Sequence, residues 1–109
     1  MTSLQAIRDK VRRRRYEFSR HAVDQSILRD IRVAEVEEAL RDRSEVIEDY
    51  PDDKRGPTCL ILGFTNAGRP LHIQVSYADR PLLKIITLYE PDSNHWIDLR
   101  RRKDSCRGD

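Results

Sequence analysis

Two histidines and an arginine, His21, His72 and Arg29, are the side chains here best suited to moving protons and holding an anion. Imidazole titrates closest to neutrality and serves as base or acid. Guanidinium stays charged and grips phosphate through paired hydrogen bonds. His21, Gln25 and Arg29 recur every four residues. On a helix that spacing drifts only ~40° per step, so all three point one way. His72, Gln74 and Ser76 alternate with Leu71, Ile73, Val75 and Tyr77, as the polar face of a strand does. Thr87 and Tyr89 add hydroxyls on a later strand, next to His72 if the register allows. Each group also has a plain structural reading: a ring bonded to a carbonyl, an arginine in an ion pair, a strand face in water.

Charge gives a second lead. The net charge is +2, yet Arg12-Arg13-Arg14-Arg15 opens the chain and Arg100-Arg101-Arg102-Lys103 closes it, while residues 35–53 are rich in acids. Cationic runs attract phosphate backbones, so these eight residues are candidate nucleic-acid contacts; the alternative is a pair of solvated ends. Other chemistries find no support. There is no glycine-rich phosphate loop, nucleophile elbow or zinc spacing, and Asp49, Asp52 and Asp53 belong to a turn, so neither metal nor cofactor is expected. Cys59 reads as a core residue and Cys106 as an exposed thiol, without a disulfide. Met1 to Arg15 lacks the apolar run of a signal peptide. No stretch approaches the ~18 apolar residues of a membrane span. A cytoplasmic location with no membrane association is the expectation.

The elements that must position these groups follow from periodicity. With 109 residues, 38% hydrophobic and 37% charged, the chain suits one domain over 1–103 with a small core, and a frayed tail over 104–109. Leu4, Ile7 and Val11 mark a basic helix over 3–14, capped by Thr2 or Ser3. Tyr16-Glu17-Phe18 is an edge strand or connector. Ser19 caps a helix from His21 to about Arg29, with Val23, Ile27 and Ile31 as its apolar stripe and Asp30 as a left-handed stop. A further helix spans about Val33 to Asp42, with Val33, Val36 and Leu40 inward. The period then falls to two. Strands are expected over 44–50, 59–65, 71–77 and 82–89, joined by turns at Pro51-Asp52-Asp53, Asn66-Ala67-Gly68-Arg69 and Asp79-Arg80-Pro81. Trp96, Ile97 and Leu99 pack back against the core, which extends over 16–99. The fold class is α+β: two to three N-terminal helices, then a four-stranded antiparallel meander with helices on one face.

Phe18-Ser-Arg-His-Ala22, Val46-Ile-Glu-Asp-Tyr-Pro51, Cys59-Leu-Ile-Leu-Gly-Phe64, Gly68-Arg-Pro-Leu-His72, Ile85-Ile-Thr-Leu-Tyr-Glu-Pro91 and then Trp96 follow one another in an order that resembles a family of small prokaryotic proteins, domain of unknown function 4258. That family is distantly similar to RelE-type and barnase-type RNA-cleaving toxins. The resemblance implies metal-independent cleavage of RNA. A base takes the ribose 2′-hydroxyl proton, the oxygen attacks phosphorus, and an acid protonates the leaving 5′-oxygen. His21 and His72 match the family's histidines and would share those roles. Arg29 would stabilise the phosphorane, Thr87 and Tyr89 would orient it, and the arginine runs would hold the strand. Two positions depart from the family: Gln25 stands where an arginine is common, and Asp30 where glycine is. Losing a guanidinium at 25 removes a phosphate clamp and implies a weak or inactive nuclease. The alternative is a non-catalytic module on the same fold, binding RNA or an antitoxin-like protein partner.

Overall fold

Helix α1 (Leu4–Arg12) buries Ile7 and Val11, the stripe the periodicity marks, and the left-handed Arg14 turns the chain out of it. The structure, a computed structural model, describes residues 4–54, 56–78 and 80–103. The cap read for Thr2 or Ser3, Asp79 of the third turn and the tail 104–109 with Cys106 lie outside the described residues.

After α1 come β1 (Tyr16–Phe18), α2 (Arg20–Leu28) and α3 (Val33–Arg41). Strands β2 (Ser44–Tyr50), β3 (Thr58–Phe64), β4 (Pro70–Ser76) and β5 (Leu83–Tyr89) follow, and a short hairpin of β6 (Trp96–Ile97) and β7 (Arg101–Arg102) closes the order. The α+β class and the antiparallel meander β2 to β5 agree with the sequence reading. The sheet is larger than expected, however, with five strands in the order β1-β5-β4-β3-β2. Strand β1 lies parallel to β5, Tyr16 opposite Leu83 and Phe18 opposite Ile85, so the sheet is mixed. The chain reaches that edge because Tyr16 and Phe18 pack against the core while Tyr16 hydrogen-bonds Glu37 of α3.

The helices cover one face. Cys59, Ile61, Leu71, Ile73, Val75, Leu83, Ile85 and Leu88 meet Ile7, Val11, Ala22, Ile31, Val36 and Leu40 there, as the period of two requires. Alternate residues Leu60, Leu62 and His72 point to the other face, where Trp96 of the terminal hairpin is also buried. Of the three residues expected to pack back, Trp96 does so but behind the sheet, Leu99 is half-buried, and Ile97 is exposed, since it alternates with Trp96 on the short strand β6.

Two helix faces differ from expectation. In α2, Val23 and Ile27 are exposed, 42% and 73%, and Leu28 is 77% exposed. Ala22 is instead the buried residue of the helix, because its small side chain permits close approach and Ser19 fixes the helix on the backbone of β5. Val33 is exposed as well, since it begins α3 and faces outward in the first turn. Asp30 does adopt φ 53°, the left-handed stop read for it.

Candidate functional site

Ser19 starts the site. Its hydroxyl accepts from the Ala22 N–H at 3.0 Å and donates to the Ile86 carbonyl at 2.8 Å. One side chain thus caps α2 and ties it to β5 where that strand bulges between Ile85 and Thr87. Ser19→Ala removes both bonds. It is expected to lower stability by about 1 kcal/mol in urea unfolding.

Held this way, α2 runs beside β5 and places His21 near its start. His21 is exposed and shares a hollow of about 340 Å³ with Ser19, Ser76, Arg80, Lys84 and Ile86. A second hollow, about 350 Å³, takes Ile86 as one wall and Gln74, Thr58, Asp53 and Lys54 as others. A third, about 230 Å³, begins at Gln74 and lies among Glu48, Tyr50, Tyr89 and Arg102. The three hollows are neighbours, the first and second sharing Ile86 and the second and third sharing Gln74 and Asp53, and together they form a groove that runs from the start of α2 along β4 and β5. The hollow of about 400 Å³ beside Asp42, Arg43 and Phe64 holds none of the candidate groups.

The two histidines do not meet. His72 is fully buried, with its ring edge-on to Trp96 at 4.4 Å and to Tyr89 at 5.3 Å. Nε2 lies 2.6 Å from the Leu99 carbonyl and Nδ1 3.3 Å from the Tyr89 hydroxyl. The carbonyl can only accept, so Nε2–H donates to it and Nδ1 accepts from Tyr89. Burial pushes the His72 pKa below its ordinary value and outweighs the Leu99 bond and Glu48, which pull it up. His72 is thus a neutral ring with both nitrogens engaged. His21 opens on the groove beside Ser76, four residues further along β4, a separation of ~13 Å by strand rise.

The remaining candidates divide. Tyr89 stands opposite His72 and Thr87 opposite Gln74, the register the sequence left open. Burial raises the Tyr89 pKa, against the pull of Arg102, and Arg29 also stands near enough to lower it. Arg29 Nε donates to Gln25 Oε1 at 2.6 Å, so the glutamine holds Arg29 where an arginine would repel it. Of the cationic runs, Arg102 bonds Glu48 at 2.8 and 3.1 Å and covers the Trp96 ring at 4.8 Å. Arg100 pairs with Glu45 at 2.9 Å, and Arg12 with Asp9 and Asp42 at 3.4 and 3.6 Å. Burial opposes the Glu48 carboxylate, yet bonds from Arg102 and Tyr50 hold its pKa below the usual 4.5. Arg100 and Arg102 therefore strap the terminal hairpin to β2, a structural use the sequence reading did not include. Arg13, Arg14, Arg15, Arg101 and Lys103 are exposed.

Three residues that the sequence reading gave no functional role matter more. Lys84 and Arg80 face the His21 hollow, and Lys10 Nζ donates to the Arg80 carbonyl at 2.7 Å. The Leu83 N–H donates to the Arg15 carbonyl, so the first arginine run ends at this same edge. Arg69 donates to the Arg29 and Asp30 carbonyls at 3.1 and 3.0 Å and pairs with Glu35 and Glu90 at 3.2 and 3.0 Å. It satisfies the end of α2 and so fixes where the helix points. Lys84 is the one charge in the apolar strand β5, whereas Arg69 and Arg80 stand in the turns before β4 and β5.

Among the described residues no group of three His, Cys, Asp or Glu is placed to hold a metal, and no helix is long and apolar enough to cross a membrane. The family model described as Domain of unknown function (DUF4258) matches residues 18–90, about two thirds of the chain. Comparison with curated proteins and with solved structures gives no match.

Proposed function

The chain belongs to this family of unknown function, and we propose from that premise that it is a non-catalytic module that binds single-stranded RNA along the groove that follows β4 and β5. One observation carries the reading: His72 is sealed with both ring nitrogens engaged, while His21, Arg80 and Lys84 open on the groove's other end. Cleavage with two histidines needs both rings at one phosphate. Strand binding needs a cationic track and aromatic faces. Arg80, Lys84 and the exposed Arg13 to Arg15 supply the first, Tyr50 and Tyr89 the second. Asp53 lies in the groove wall as well, and Glu48 is already neutralised by Arg102.

The test is fluorescence anisotropy with a labelled single-stranded RNA. With two to three phosphate contacts, affinity is expected to fall roughly tenfold between 50 and 200 mM salt. The Arg80→Glu/Lys84→Glu pair is expected to weaken binding by about tenfold or more at low salt. Salt-insensitive binding, or binding untouched by the pair, overturns the reading. Total RNA incubated with the protein in EDTA is expected to stay intact. EDTA-resistant cleavage that disappears in His21→Ala restores the nuclease implied by the resemblance, with His21 as its base.

A protein partner is the second reading, favoured by one observation. Ile27, Leu28 and Val33 stand 73, 77 and 51% exposed around the α2–α3 turn, and apolar side chains grouped on a surface are what a protein partner covers.

A further inference from the structure

Ser76 is the one described residue whose buried side-chain polar atom lacks a hydrogen-bond partner, and it lines the His21 hollow. The residue is only 6% exposed. A hydroxyl in that position carries the free-energy cost of lost water without a bond in return, so such groups are rare unless something else bonds them. Around it, the hollow has a defined chemistry. Arg80 and Lys84 bring two fixed positive charges and His21 brings a further hydrogen-bonding group, while Ser19, whose hydroxyl is engaged by Ala22 and Ile86, forms only wall. The hollow also lies at the start of α2, a nine-residue helix whose first N–H groups have no intrahelical acceptor. Glu17 stands opposite Lys84 in the β1–β5 register, an exposed acid at the outer edge.

We infer that this hollow is a pocket for a phosphate dianion, and that its natural occupant is the phosphorylated end of an RNA strand. An internal phosphodiester carries one charge and a terminal phosphomonoester about two. Two fixed cations, the unbonded Ser76 hydroxyl and a helix start match the second better than the first. At about 340 Å³ the hollow falls within the size range of small-molecule sites, and Ile86 gives it an apolar wall on which a terminal ribose can rest. The Lys10 bond to the Arg80 carbonyl fixes the loop that carries Arg80. The phosphate source rests on the RNA reading above; the pocket itself does not.

Three oligouridylates of one length separate these ideas: one with a 5′-phosphate, one with a 3′-phosphate and one with neither. Inorganic phosphate and uridine 5′-monophosphate are added as probes, followed by amide and imidazole shifts. One phosphorylated oligomer is expected to bind about tenfold tighter than the unphosphorylated one. In Ser76→Ala that ratio is expected to fall toward one. This variant removes an unsatisfied hydroxyl, so its melting temperature is expected to hold or rise, which separates lost recognition from lost folding. If inorganic phosphate or the mononucleotide shifts His21 and Ser76 but no oligomer binds, the strand reading falls and the pocket stands. If the three oligomers bind alike and neither small probe moves those signals, the pocket is overturned and strand binding stands. If Ser76→Ala keeps the full preference, the pocket is overturned as well.

Discussion

His72→Ala is expected to destabilise the protein by about 3 kcal/mol, a loss of roughly 10–20 °C in melting temperature for a domain of this size. The ring is fully buried and fills the space between Trp96, Tyr89 and the sheet. Removing it leaves a cavity, an unpaired Leu99 carbonyl and an unpaired Tyr89 hydroxyl. A second effect adds to these. Asp98 and Leu99 both have positive φ, 53° and 66°, and the Arg100 N–H closes their turn on the Ile97 carbonyl. Leucine enters that region reluctantly, and the His72 bond to its carbonyl is what pins it there. Without the imidazole the β6–β7 hairpin is expected to loosen first, visible as faster hydrogen exchange at the Arg100 and Lys103 amides, which the hairpin now holds.

The same ring predicts a pH dependence. Its folded-state pKa is held below the ordinary 6.5 by burial, so the unfolded chain takes up a proton more readily than the folded one. The His72 contribution is complete above pH 6.5 and declines as the pH falls through the lower folded-state value. Glu35 and Glu48 are also lowered, from 4.5, so their contributions persist in that window and are lost only at still lower pH. Urea unfolding is therefore expected to show a falling stability below pH 6.5 with a slope of up to about 1.4 kcal/mol per unit, absent in His72→Gln. Identical slopes in the two proteins would mean that the imidazole titrates freely and is not sealed.

This structural role was hidden in the sequence for a definable reason. A row His72, Gln74, Ser76 on alternating positions says only that one face differs from the other. Whether that face meets water depends on what covers it, and the cover is Trp96, which arrives from 24 residues beyond His72. The parallel strand Tyr16–Phe18 was hard to place for a related reason. Three residues are too few for a period, and the partner strand lies some 67 positions later in the chain. In α2 the apolar stripe itself misled. Val23 and Ile27 have the spacing of a core face, but Ser19 is bonded to Ile86 and sets the helix rotation instead. By contrast, α3, the β2–β5 meander and the Asp30 stop rest on local periodicity or one residue's conformational range, and they were legible. The candidate site divides along the same line. The stripe of His21, Gln25 and Arg29 follows from helix geometry alone, whereas Ser76 meets Lys84 only through the β4–β5 register, and both reach His21 only through the cap that ties α2 to β5.

Gly63→Ala is expected to destabilise by about 3 kcal/mol or more, at the upper end of what overpacking does. The reason is steric and not conformational, since Gly63 has no positive φ. A Cβ built there lies 2.1 Å from the Ala39 carbonyl oxygen and 2.7 Å from its carbon. Those atoms are backbone of α3, so no rotamer change relieves the clash. The helix must lift from β3, and with it Val36 and Leu40 from the core. The chain has little margin for that, given total stabilities of roughly 5–15 kcal/mol for such domains. Two further variants isolate the cause. Ala39→Gly in the Gly63→Ala background is not expected to rescue, because the obstacle is the carbonyl and not the methyl group 3.0 Å away. Gly68→Ala meets nothing within 4 Å, and only its φ of 89° opposes the change. It is expected to lose about 1 kcal/mol. Urea unfolding of the set decides it. If Gly63→Ala matches wild type, α3 does not sit on β3 at this separation. If Ala39→Gly restores stability, the close approach is of side chain to side chain, and the helix lies farther from the sheet than the backbone distances state.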